Sequence, residues 1–125
     1  MPNENEHRKL AAIMFTDMVG YSALAQRNEA LALDLLTEHQ SRLRPLFAQQ
    51  GGREIKCTGD CFLVEFRSAL QAVQCAIAIQ TALVEQNASA AAERRIQVRI
   101  GLHLGDVEVR DGDVFGDGVN IAARV

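Results

Sequence analysis

At 125 residues the chain is long enough for one domain with a core and too short for two. A hydrophobic share of 48% and a charged share of 23% are those of an ordinary globular chain, and a net charge of −3 offers no basic surface to nucleic acid. No apolar run approaches the roughly 20 residues of a membrane span, and the opening MPNENEHRKL lacks the apolar stretch of a signal peptide.

Residues 1–8 are polar and charged and read as a frayed N-terminal segment, with the domain proper over 9–125. The run LAAIMFTDMVG predicts a central strand, about Lys9 to Asp17, entering a tight turn. Ser22 to Arg27 reads as a short helix. Glu29 to Gln50 reads as a longer one, with Leu31, Leu35, Leu36, Leu43, Leu46 and Phe47 at helical spacing and Gly51-Gly52 closing it. Pro45 stands late in that helix, where it is expected to kink or end it. In REIKCTGDCFLVEF (Arg53–Phe66), β-favouring residues flank Thr-Gly-Asp, the pattern of a tight hairpin. Ser68 is placed to cap a helix to Glu85 whose apolar residues are Ala69, Val73, Ala76, Ile77, Ile79 and Leu83. Asn87–Arg95 reads as a linker. Ile96–Val109 alternates as a strand, with Ile96, Val98, Ile100, Leu102 and Leu104 on one face and Gln97, Arg99 and His103 opposite. Gly105-Asp106 is expected to interrupt it. The order is β-α-α-β-β-α-β, then a turn and a new helix. It implies an α+β, ferredoxin-like fold with a mainly antiparallel sheet and helices packed on one face.

Two acidic turns carry the first candidate chemistry. Asp17 ends an apolar strand just before a glycine turn and a helix start. There it reads either as a helix cap or as a hard-cation ligand beside N–H groups that can face phosphate. Asp60, in Thr58-Gly59-Asp60, reads either as an ordinary turn residue or as a second ligand, because this fold can set the hairpin beside the first strand. Two converging carboxylates repel unless a cation lies between them, and Mg²⁺ is commonly held by one or two carboxylates plus substrate phosphates. Lys56 is one of two lysines against eleven arginines. It either snorkels from its strand or donates to a ligand acceptor. Asn120 and Arg124, i and i+4 on the terminal helix, form either a solvated face or a donor pair for an anionic oxygen. Cys57, Cys61 and Cys75 make neither a metal-ligand spacing nor an even-numbered disulfide set, which points to a reducing, cytoplasmic setting. His39 and His103 receive no role.

Three stretches, FTDMVGYS (Phe15–Ser22), KCTGDCFLVEF (Lys56–Phe66) and DVFGDGVNIAAR (Asp113–Arg124), together resemble the catalytic domain of class III adenylyl and guanylyl cyclases. The resemblance implies that Asp17, Asp60 and the carbonyl of Met18 hold two Mg²⁺ or Mn²⁺ ions. It sets Val19, Gly20, Tyr21 and Gly59 against the substrate phosphates. Lys56 and Asp113 match the purine-reading pair. Lysine can only donate and suits a ring nitrogen of adenine, while a carboxylate can only accept and suits its exocyclic amine, so ATP is the expected substrate. Asn120 would orient the ribose and Arg124 would stabilise charge on the α-phosphate. The implied reaction is ATP to 3′,5′-cyclic AMP and pyrophosphate, in intracellular signalling. The implied assembly is a head-to-tail homodimer whose sites combine the metal aspartates of one subunit with Lys56, Asp113, Asn120 and Arg124 of the other.

Domains of this family continue with a further helix and strand and a lysine for the terminal phosphates, so the chain is expected to be C-terminally incomplete. The alternative is a cyclase-like module that dimerises or binds nucleotide without catalysis. A diguanylate cyclase of related topology is disfavoured, because its acidic signature is missing.

Overall fold

The computed structural model describes the backbone of residues 6–110 and 113–115 and the side chains of residues 11–105. Among the described residues there are five strands, β1 (Glu6–Met18), β2 (Arg53–Thr58), β3 (Cys61–Phe66), β4 (Val98–Arg110) and β5 (Asp113–Phe115), and three α-helices, α1 (Tyr21–Arg27) and α2 (Glu29–Gln49) between β1 and β2 and α3 (Ala69–Ser89) between β3 and β4. The sheet order is β2-β3-β1-β4-β5, and every neighbouring pair is antiparallel. This is the expected α+β arrangement, with β1 at the centre.

Alternation along β1 divides the sheet into two faces. Ala12, Met14 and Met18 join Phe62, Val64, Phe66 and Val98 in a core against α2 and α3. From α2 that core receives Leu35, Leu43 and Phe47, and from α3 it receives Ala72, Cys75, Ile79 and Leu83. Ala11, Ile13 and Leu63 form a smaller cluster on the other face, with Phe15 and Ile55 against it. The edge strands β2 and β5 also come into contact, so the sheet curls far enough to bring its two margins together.

Side-chain caps start the long helices. Asn28 accepts the Leu31 N–H at 3.2 Å and Ser68 accepts the Gln71 N–H at 3.1 Å. Pro45 lies inside α2 without ending it. Packing of Leu43 and Phe47 on either side of Pro45 holds a helix that local propensity alone would break.

Several boundaries differ from expectation. Among the described residues strand pairing already includes Glu6, His7 and Arg8, because β4 runs to Arg110 and supplies their partners. Gly105-Asp106 does not interrupt β4, since Ala11 and Leu10 of β1 continue the ladder opposite them. The linker over 87–95 is helical to Ser89 and then forms a short 3-10 turn at Ala92–Arg94. Asn87 brackets Ile96, donating to its carbonyl at 2.8 Å and accepting its N–H at 3.1 Å. Arg94 binds Asp34 and Glu38 of α2, each at 2.6 Å. β4 and α3 also carry exposed apolar residues: Leu102 and Leu104 on β4, and Val73 and Ile77 on the side of α3 away from the core.

Candidate active site

The end of β1 and the β2–β3 hairpin meet through one hydrogen bond. The backbone N–H of Met18 donates to Asp60 Oδ2 at 2.9 Å, across 42 residues of sequence. Asp60 lies in the turn that Gly59 makes possible with φ 58, in the left-handed region that favours glycine. Asp60 is thereby fixed next to the residue that follows Asp17, and the two aspartates share one corner of the sheet. The register agrees: Thr16 pairs with Phe62, so one further step sets Asp17 opposite Cys61. The Cys61 thiol lies in the field of both carboxylates. Burial first, then Asp60 and Asp17, push its pKa up, so it stays protonated.

Asp17 is not a helix cap. The N-cap of α1 is Gly20, at φ 74, and no side chain caps that helix. The Asp17 carboxylate is instead held by Arg99, its direct cross-strand partner on β4. Arg99 donates from Nε to Oδ1 at 2.8 Å and from Nη2 to Oδ2 at 3.0 Å, a two-pronged fork on both oxygens. Asp17 and Asp60 also keep the Arg99 pKa above its usual value. Arg99 lies on the polar face of β4 that the alternation predicts, and the sequence alone assigns it no role. The signal was there in the alternation, but the partner is set by register.

The remaining expected residues fall as follows. Met18 is buried at the strand end, its N–H committed to Asp60. Val19 is exposed, and its N–H goes to the Gln97 carbonyl at 2.9 Å, so it is not open to a phosphate. Gly20 opens the turn, and a Cβ there would meet nothing within 4 Å. Tyr21 packs against the main core rather than standing clear of it. Lys56 is exposed on β2, just after an irregularity in the pairing with β3. Asp113 begins β5, whose side chains lie outside the described residues. Since β2 and β5 touch, the strands that carry Lys56 and Asp113 are brought together. Asn120 and Arg124 lie outside the described residues.

His39, likewise without an expected role, is fully buried against the hairpin. Its ring stands 5.9 Å from that of Phe62, and neither ring nitrogen has a hydrogen-bond partner. Desolvation lowers its pKa to about 4, with Asp60 raising it and Arg42 lowering it further. A neutral His39 therefore underlies the strand that leads from Asp60. Phe62 is wedged further by Phe47, edge-on at 5.0 Å, and by the Arg44 guanidinium, 5.5 Å from its ring centre.

Among the described residues no three His, Cys, Asp or Glu side chains gather as a metal cage. The donor set still fits a hard divalent ion. Two carboxylates share the corner, and the Arg99 guanidinium already pairs with one of them. Mg²⁺ characteristically takes one or two carboxylates and completes its shell with water and substrate phosphates. No described helix is long and apolar enough to cross a membrane.

Comparison with known proteins gives a consistent picture. The chain is 47% identical, over its whole length, to a Rhizobium meliloti protein provisionally named adenylate cyclase 3, of which it spans 22%. It is 35% identical, over 91% of its length, to the adenylate cyclase of Streptomyces coelicolor, spanning 29% of that protein. A crystal structure of an adenylate/guanylate cyclase/hydrolase from Silicibacter pomeroyi superposes with a TM-score of 0.83 at 44% identity, covering 96% of this chain and 70% of that one. Residues 4–125 match the model of the adenylate and guanylate cyclase catalytic domain, and the chain belongs to that family.

Proposed function

We propose that this domain converts ATP to 3′,5′-cyclic AMP and pyrophosphate at a site shared between two copies of the chain. The observation that carries the reading is the corner built by Asp17, Met18 and Asp60, where one backbone hydrogen bond joins two candidate ligands from distant segments. Asp17, Asp60 and the Met18 carbonyl would hold two Mg²⁺ or Mn²⁺ ions. Bound there, such ions lower the pKa of the ribose 3′-hydroxyl and neutralise the leaving pyrophosphate.

The chain's own groups do the rest. Lys56 donates to a purine ring nitrogen and Asp113 accepts from the exocyclic amine, a pattern that matches adenine and mismatches guanine. Contact between β2 and β5 supports pairing of these two residues. Asn120 orients the ribose. Arg124 faces the α-phosphate, where charge grows in the transition state and a fixed donor is worth most. The β1–α1 turn at Gly20 and the β2–β3 turn at Gly59 each leave open space where a Cβ would stand, room for phosphate oxygens, while the Val19 N–H is already spent. With aspartates from one subunit and Lys56, Asp113, Asn120 and Arg124 from the other, a head-to-tail homodimer holds two equivalent sites. The setting that suits this activity is cytoplasmic signalling.

The test is to incubate the full-length protein with ATP or GTP and Mn²⁺ and to measure cyclic nucleotide and pyrophosphate. Equal amounts of cyclic AMP and pyrophosphate, with little cyclic GMP, are expected. Cyclic GMP as the main product would overturn the purine assignment. No product at all would favour a cyclase-like module that binds or dimerises without catalysis.

A further inference from the structure

The fork between Arg99 and Asp17 belongs to no step of the proposed reaction, yet it engages both oxygens of a candidate metal ligand. Its geometry is imposed by the fold. Asp17 and Arg99 are directly opposite in a β1–β4 ladder that pairs continuously from Glu6–Arg110 to Met18–Val98, so neither backbone can withdraw from the other. The side chains are not sealed in: Arg99 is 61% exposed and Asp17 33% exposed, so a solvent ion can reach the pair.

A carboxylate gripped on both oxygens by a guanidinium has little electron density to spare for a divalent cation. A divalent cation on the same oxygens repels a guanidinium that lies within 3 Å of them. The two cations therefore compete for Asp17. We propose that Arg99 is the resident countercation of the metal corner: it holds Asp17 until a divalent ion displaces it, and in doing so it sets the affinity of the site for that ion. The inference rests on the metal role proposed for Asp17 and adds a residue that determines how strongly the role is expressed. Arg99 is a positioning residue in this account. Its five N–H donors keep the Asp17 carboxylate turned towards β4, and its charge must be displaced before the carboxylate can serve as a ligand.

The experiment is Mn²⁺ binding to the purified chain without nucleotide, read from the electron paramagnetic resonance signal of free Mn²⁺. Arg99→Gln is expected to bind Mn²⁺ at least about fivefold more tightly than the wild type, the lower end of a usual coupling between two sites. Arg99→Lys keeps the charge but loses the fork, and is expected to fall between the two. It also serves if the glutamine variant folds poorly. Affinity unchanged or weakened in both variants would overturn the inference and leave Arg99 as a cross-strand tie only. Asp17→Asn separates the two levels of the argument. It should abolish the tighter binding, and Mn²⁺ affinity that survives it would overturn the metal reading itself and this inference with it.

Discussion

Acid should weaken this fold through one histidine. His39 is fully buried, with no partner for either nitrogen, and its pKa is lowered to about 4 from 6.5. Below about pH 6.5 the unfolded chain takes up a proton at His39 that the folded chain refuses. The unfolded state then binds more protons, and stability falls as pH falls through that window. A 2.5-unit separation, at about 1.36 kcal/mol per unit, sets a ceiling near 3 kcal/mol, of which about 2.5 kcal/mol is reached by pH 4.5. Urea unfolding of the wild type and of His39→Leu at about pH 7.5 and 4.5 isolates the effect, because other groups titrate alike in both. With an m value of about 1–3 kcal/mol/M, the wild-type midpoint should fall by about 0.8–2.5 M more than that of the variant. At pH 7.5 the variant should be no less stable, since leucine removes two buried nitrogens without partners. Parallel losses in the two proteins would refute the reasoning.

Replacing Pro45 with alanine should stabilise the fold by about 1–3 kcal/mol, because α2 already runs through that position and regains a backbone donor there; an unchanged urea midpoint would contradict this. Lys56→Glu combined with Asp113→Cys should shift selectivity of the full-length protein from ATP towards GTP, measured as the ratio of cyclic products. A variant that stays strictly ATP-selective would show that the purine is read elsewhere. Mixing Asp17→Ala protein with Arg124→Ala protein should restore one site per heterodimer and hence part of the activity that each lacks alone. Failure to complement would count against a shared interface.

The fold was legible where residue types repeat at the period of their element. Alternation in Phe62, Val64 and Phe66 marked β3, the Gly59 turn marked the hairpin, and Ser68 marked the start of α3. Legibility failed where the deciding partner is distant in sequence. The extension of β1 to Glu6 and the continuity of β4 through Gly105 depend on each other's ladder, which local propensity does not encode. The same holds at the site. That Asp17 and Asp60 converge followed from the order of elements, whereas the choice of Arg99 as the partner of Asp17 depends on a register between strands some eighty residues apart. His39 could have been found, since Leu35, His39 and Leu43 recur every four residues on the face of α2 that meets the core. A polar residue in that stripe is a buried one. The apolar pattern over-reached on α3, where Val73 and Ile77 belong to its exposed side.

The most direct test of the central claim is cyclic AMP formation by the full-length protein carrying Asp60→Asn, titrated with Mn²⁺ beside the wild type. Asparagine keeps an oxygen to accept the Met18 N–H, so the corner stays tied while the carboxylate charge is lost. Metal-dependent turnover is expected in the wild type, with a loss of at least about a hundredfold in the variant. Turnover in Asp60→Asn that matches the wild type at every Mn²⁺ concentration would contradict it.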